Sequence, residues 1–482
     1  MVQEIKDYVN KLLGKNQQFD ELLAKGDISG VIEKMKSHKD EAFKALEEYN
    51  TKTHLVMARP KKIRKNKKGE RTGDQEVWRL PISYQQYINE IALVFLYGQP
   101  VKWSQSSEGT DEAYQAFLKR VKDLRFNAKI REAKRFAGSE TESAMLFRVF
   151  RNDEGSADCQ IRVLANSKND EIYTKFDQYE NLAAFAWGYY VKEGEDTTYH
   201  FDLYTAKTNY YCTKRALGWD VMKEVNLIGK IPVIYFRQKT EWDGSAPLTN
   251  RIEAITSKSA DTNDYFADPI AVLNADVIKN LPDKDDDGKL LITNSQNGVD
   301  EAARYLTWDS APQSKKDEIE LLNKYIMQMT FTPDITTESL KSVSQLSAKA
   351  LKTVMMLGVI KAQKSKESHD ELLDRTASLL KAIIGNVLDV SLKSQCDALV
   401  VEHEYQEPFG DDITDAIANI VKSVESGILS QETAVSLNPL VKDPVTELER
   451  IQGEKEQAVQ QQMDIFRGER EDNREDEERD AE

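Results

Sequence analysis

The segment DKDDDGKLLITN, residues 283–294, sets Asp283, Asp285 and Asp287 at alternate positions and follows them with Gly288. Carboxylates at positions 1, 3 and 5 with glycine at 6 are the opening of a calcium loop. The closing position is Asn294, not the bidentate glutamate that the geometry needs, and the flanks read as strands rather than helices. A polar β-turn is the plainer reading. The five histidines, His38, His54, His200, His369 and His403, are far apart in sequence. His403, between Glu402 and Glu404, reads as part of a solvated strand face. Gly14-Lys15 and Gly229-Lys230 carry Val9 and Glu224 where a phosphate loop needs its first glycine. Tyr210-Tyr211-Cys212 reads as a strand run with an ordinary thiol. The residues therefore offer no catalytic constellation, no metal site and no cofactor motif.

Composition narrows the class. The chain has 482 residues, 40% hydrophobic and 9% aromatic, enough for two to four domains with real cores. Mean hydropathy is −0.60. Only 22 glycines and 12 prolines occur, which excludes collagen-like and low-complexity chains. Three scattered cysteines (Cys159, Cys212, Cys396) suit a reducing compartment. The N-terminal MVQEIKDYVNKLLGK reads as an amphipathic helix rather than a secretory signal, and no apolar run of membrane-spanning length is present. With 82 acidic against 66 basic residues the net charge is −16. That balance argues against a protein that grips nucleic acid by neutralising phosphates.

The elements that would position any site follow from periodicity. Residues 1–50 predict two or three short helices. Residues 58–74 hold eight Lys or Arg among 17 residues and read as a solvated, flexible loop, with a phosphate-contacting arm as the alternative. Helical spacing over 81–97 ends at Gly98 and Pro100, and VKW follows as a strand. Residues 110–137 are helical. From Met145 to Phe236, short β-branched and aromatic runs predict an antiparallel sheet region. A helix over 248–266, short strands within 270–308, and a helix over 314–331 come next; the second helix has Ile319, Leu322, Ile326 and Met329 on one stripe. A polar segment leads into a long helical run from Ser347 to about Lys393, with Gly358 and Gly385 as kink points. ALVVEHEYQ is a further strand. Residues 411–466 are helical, with Ser430 and Thr433 as cap-type residues and breaks at Pro439 and Pro444. The last 16 residues carry nine acids and four arginines and read as disordered.

Four segments, in order, carry a resemblance. Ile91-Ala92-Leu93-Val94-Phe95-Leu96-Tyr97-Gly98-Gln99-Pro100-Val101 resembles a helix-to-strand element of the portal proteins of tailed double-stranded-DNA phages, siphophage type. In residues 231–276, Ile231, Pro232, Val233, Phe236, Gly244, Ser245, Ile252, Ser259, Asn263 and Asp264 match the family's strand and the polar helix after it. SQLSAKALKTVMMLG resembles a helix start of the family, with Ala348 where glycine is usual. GILSQETAVSLNPLVKDPVTELERIQGEKE resembles the C-terminal segment. Together these matches span residues 82–456.

The resemblance implies an α+β portal-type fold. Its parts would be a mixed wing (1–246 with 394–410), stem helices (247–268 and 314–331), a clip (269–313), a tunnel loop (332–346), a long wing helix (347–393), a helical crown (411–466) and an acidic tail (467–482). It implies a homo-oligomeric ring, usually of twelve, at one capsid vertex of the virion, assembled in the host cytoplasm. Double-stranded DNA would be cargo, without sequence specificity. Terminase, an adaptor or head-completion protein, and capsid and scaffold proteins would be partners, and no membrane. The channel residues would be Thr337, Lys341, Ser342, Ser344 and Gln345, and the clip docking residues Asp283, Asp285, Asp286, Asp287 and Lys289. An acidic chain suits a conduit that must not bind what passes through it. The competing classes are a non-portal structural protein and a nuclease or nucleotide hydrolase without a recognisable motif.

Overall fold

Alternation along one strand organises the larger part of the chain. In the computed structural model, which describes residues 19–65, 70–194, 196–267, 270–274, 290–293, 303–306, 312–335, 355–406, 413–441, 444 and 446–457, contacts divide the chain into two units. One is Met1–Gln345 with Thr353–Pro408, and the other is Leu346–Lys352 with Phe409–Glu482.

The first unit opens with helical residues 19–25, α1 (Ile28–Lys34) and α2 (Lys39–Tyr49). The basic stretch is not a bare loop. β1 (Lys62–Lys65) pairs antiparallel with β2 (Arg71–Gln75). Its charges are partly spent at home: Arg59 meets Asp261 at 2.7 Å, Arg71 meets Asp74 at 2.6 Å, and Lys61 meets Glu76. α3 (Tyr84–Tyr97) buries Ile88, Ile91, Ala92, Phe95 and Leu96, and β3 (Lys102–Gln105) follows. Residues 110–137 form two helices rather than one, α4 (Asp111–Asp123) and α5 (Phe126–Glu140), because Arg125 takes a left-handed φ of 50° between them.

The β-rich region is two sheets. β4 (Glu142–Arg151) is the centre of a three-stranded antiparallel sheet, between β5 (Ala157–Leu164) and β11 (Val233–Arg237). β4 is buried on both faces, so its period-2 alternation serves two cores. Met145 and Phe147 enter the core shared with α3, α4 and α5; Ala144 and Leu146 face the other sheet. That sheet is an antiparallel meander of β6 (Glu171–Phe176), β7 (Leu182–Glu193), β8 (Asp196–Tyr204), β9 (Thr208–Arg215) and β10 (Gly218–Val225). Ala184, Ala186, Phe201, Leu203 and Cys212 on its second face are covered by Phe19, Leu23, Ile28 and Val31.

α6 (Ala246–Ala267) is followed by β12 (Ile270–Asn274), β13 (Leu290–Thr293) and β14 (Ala303–Leu306), then by α7 (Pro312–Met329). The long helical run is interrupted. α8 (Met356–Ile383) passes into a π turn at Ile384–Leu388, then α9 (Lys393–Ala398). Gly385 sits at that interruption, where a Cβ would lie 3.1 Å from atoms of both Lys393 and Cys396. β15 (Val401–Glu404) pairs with β3, so the two isolated strands of the sequence reading are partners.

Gly358 is a contact, not a kink. It lies inside α8, and a Cβ there would fall 2.5 Å from the ring of Phe95, itself buried in α3. We expect Gly358→Ala to cost about 1–3 kcal/mol through overpacking, read as a lower denaturation midpoint. Combining it with Phe95→Leu should recover part of that loss; strict additivity of the two changes would contradict the contact.

In the second unit, α10 (Ile413–Glu425) precedes α11 (Gln431–Leu437), and residues 446–457 are helical. Ser430 caps α11 as its residue type suggests: its hydroxyl accepts from Thr433 N at 3.2 Å. The expected N-terminal helix over residues 1–15 and the acidic tail lie outside the described residues.

Candidate functional site

The two helices that bracket the strand insert are fixed to the first unit by different means. From Ser245, just before α6, Thr249, Glu253, Ser257 and Asp261 recur every four residues along the helix and make one polar line. Ser245, Thr249, Glu253 and Ser257 are fully buried or nearly so. Buried polar side chains need partners; Ser245 and Thr249 donate to the carbonyls of Trp242 and Ser245, and an extended segment partners the other three. Trp78 N donates to Asp261 (2.8 Å), Leu80 N to Ser257 (3.0 Å) and Ile82 N to Glu253 (2.8 Å). Alternate backbone amides of an extended chain recur every ~6.6 Å, close to the ~6 Å between residues four apart on a helix, so three successive pairs fit.

Glu253 also meets His54. Its Oε1 lies 2.6 Å from His54 Nδ1, and His54 Nε2 donates to the Glu48 carbonyl at 2.9 Å. Both ring nitrogens of His54 are thus engaged, which fixes the ring between α6 and the end of α2. Lower on the same face, Arg59 and Trp78 hold Asp261. That carboxyl stays below the usual range although burial opposes it, because the Trp78 amide and the Arg59 guanidinium favour its charge.

The apolar line joins the helices. Ile252 of α6 and Ile326 of α7 are buried with Ile88 and Trp242, while Leu248, Ile319 and Leu322 pack at the edge. Met329 is half exposed and does not continue the stripe. Arg251 and Glu318 form an ion pair at 2.8 Å between the two helices. Pro312 opens α7, where its missing N–H costs nothing. At the other end Thr332 N bonds back to the Met327 carbonyl at 2.9 Å, with Phe331 at a φ of 50°. Tyr87 then holds the chain that leaves: its hydroxyl donates to the Pro333 carbonyl and accepts from Ile335 N, at 3.2 and 3.3 Å.

Between the helices, β12 is the central strand. It pairs parallel with β13 and antiparallel with β14. The expected docking residues Asp283, Asp285, Asp286, Asp287 and Lys289 lie outside the described residues; of the segment 283–294 only β13 (Leu290–Thr293) is described. Thr337, Lys341, Ser342, Ser344 and Gln345 lie outside them too.

One other reading changes. His403 is not on a solvated face. It points toward α8, with Nε2 3.3 Å from Asp370 and Nδ1 3.2 Å from Asp374, while Glu402 and Glu404 are exposed. Cys212 is buried, which pushes its thiol up to about 12; Cys159 behaves alike. His369 is also buried, bonded to Tyr97 Oη at 2.8 Å, and desolvation holds it neutral. Among the described residues no group of three His, Cys, Asp or Glu is placed to hold a metal, and no helix is long and apolar enough to cross a membrane. Sequence reasoning missed the polar line on α6. Its signal was present as the four-residue repeat from Ser245 to Asp261.

The family model described as "Phage portal protein, SPP1 Gp6-like" matches residues 29–461. The chain belongs to the SPP1 Gp6-like phage portal family. The α+β fold is thus the fold of a portal protein, and the chain is a phage structural component of the head-to-tail connection. No curated protein matches the chain. Among solved structures, one described as "Neck of native GTA particle computed with C12 symmetry" matches with a TM-score of 0.37 and 10% identity, covering 74% of this chain and 90% of that chain.

Proposed function

We propose that the chain assembles into a homo-oligomeric ring, of twelve copies by analogy with the family, at one vertex of the viral head. In this reading double-stranded DNA passes through the ring during packaging and ejection. The observation that carries it is the family match over residues 29–461. The helices α6 and α7 are the proposed stem. The insert 269–313 is the proposed clip, docking terminase on packaging and an adaptor or head-completion protein afterwards, through the carboxylates of 283–287 and Lys289. Residues 1–246 with 394–410 form the wing, 347–393 its long helix, and 411–466 the crown. Capsid and scaffold proteins are the expected neighbours, with assembly in the host cytoplasm.

The mechanism is avoidance of adhesion. Duplex DNA carries one charge per roughly 1.7 Å of axis. A lysine-lined bore would release counterions, bind tightly and slow the cargo. A chain of net −16 repeated around a ring offers weak repulsion instead, screened beyond roughly 8–10 Å at physiological salt. Sparse contacts fall to residues 332–346, where Lys341 is the only base and Ser342, Ser344 and Gln345 are neutral donors. Tyr87 clamps the start of that segment, at Pro333 and Ile335. We expect deletion of residues 334–345 to leave ring formation intact and to impair DNA packaging or retention. Packaging at the normal level would contradict the role given to this loop.

A further inference from the structure

The first face of the meander is only half covered by β4 and β5, and the open half is a cleft of about 780 Å³. Its floor has a carboxyl at the centre of four rings. Register sets Trp187 and Tyr211 directly beside Asp202 on the neighbouring strands. His200 and Tyr204 flank it two residues away along β8, on the same face. All five line the cleft. Asp202 is 6% exposed, yet among the described residues no lysine or arginine lies within ion-pair distance of it. Its one hydrogen bond among the described residues is from Tyr189 Oη to Oδ2, at 3.2 Å. The other cations of the cleft do not settle it: Arg162 is paired with Asp170 at 3.2 Å and lies over the Trp187 ring, and Arg148 is exposed at the rim.

A nearly buried carboxylate with aromatic side chains on every side is a receptor for a cation, since rings and carboxylate attract the same charge. We propose that this cleft binds an alkylammonium group, an aliphatic chain ending in a protonated amine, with Asp202 as the counter-ion and Tyr204 and Tyr211 as the ring contacts. The cleft volume is in the range of small-molecule sites. Two sources carry this chemistry: a free polyamine, or a lysine side chain of a protein partner. The site does not depend on the ring, because every residue in it belongs to one chain.

Burial raises the Asp202 carboxyl to about 6, opposed by the Tyr189 hydrogen bond and by Arg148. His200, Tyr204, Tyr211 and Glu224 are the other titratable groups facing it. A bound amine needs the carboxylate form, so affinity should rise with pH through that range. The amines themselves stay protonated there.

The test titrates the purified full-length chain with spermidine and, separately, with Nα-acetyl-lysine amide, by calorimetry and tryptophan fluorescence. We expect saturable binding of one amine per chain, about tenfold tighter at pH 7 than at pH 5, and at least about tenfold weaker in Asp202→Asn. Binding of spermidine alone assigns a polyamine, and binding of the lysine amide assigns a partner's side chain. Absence of saturation for both, or equal affinity in Asp202→Asn, would overturn the site, the latter showing diffuse attraction to an acidic chain. If Asp202→Asn does not fold, the pH profile of the unaltered chain decides, and a flat profile overturns the proposal.

Discussion

Replacing Glu241 by glutamine is expected to destabilise the first unit by about 3–5 kcal/mol at neutral pH, the cost of breaking a buried ion pair from one side. Lys134 Nζ lies 2.7 Å from Glu241 Oε1 and 2.6 Å from Gln238 Oε1. Lys361 of α8 lies 3.1 Å from Oε2 and donates to the Glu241 carbonyl at 3.0 Å. The Lys134 side chain is 2% exposed and that of Glu241 6%. One carboxylate thus serves two buried cations. Burial works against the charge of Glu241, but the two lysines outweigh it and bring its carboxyl down to about 2. For Lys361 the balance is reversed, because burial and Lys134 together lower its basicity in spite of Glu241. The glutamine variant leaves two cations facing each other in the interior. A denaturant midpoint measures the loss, and Lys361→Met in the same chain should restore part of it. The sign of the pH effect follows. A depressed carboxyl contributes stability above its unfolded value near 4.5, which is lost as pH falls toward about 2. Unaltered stability at pH 7 in Glu241→Gln would contradict the coupling.

Trp242→Ala is the second large effect, again about 3–5 kcal/mol, from lost burial and the cavity left behind. Trp242 is fully buried immediately before α6. It stacks on Tyr49 with centroids 5.5 Å apart, and its Nε1 donates to Glu48 at 2.9 Å. Ile88, Ile252 and Ile326 complete the cluster, so one ring joins α2, α3, α6 and α7. Truncation removes the common packing of both proposed stem helices and strands the Glu48 carboxylate. Trp242→Phe keeps most of the volume and should lose much less. Equal losses for the two variants would assign the effect to the Glu48 hydrogen bond rather than to packing.

Much of this was legible in the sequence, and the exceptions have physical causes. Helices over 81–97, 248–266 and 314–331 announced themselves because each carries apolar residues at helical spacing. The meander was legible from its ten-residue spacing. What failed was whatever depends on a distant partner. The division of 110–137 rests on one left-handed residue, Arg125, which no period reports. Gly358 read as a kink because glycine usually marks backbone freedom; its role is to admit the Phe95 ring from another helix. His403 read as solvated because strand alternation does not say which face meets α8. The polar line of α6 went unread because its partner, the segment at 78–82, is distant in sequence. The expected channel and docking residues fall outside the described residues, so they stand on the family resemblance, with the acidic balance and the Tyr87-anchored start of the loop in support.

The same balance constrains the central claim. A net charge of −16 first argues against DNA; within a portal protein it argues only against a gripping site. Imaging the purified full-length protein by negative-stain electron microscopy tests the claim most directly. The account predicts closed rings with a central hole wide enough for a duplex, about twelve-fold in symmetry. Compact monomers with no ring at any protein concentration would contradict it.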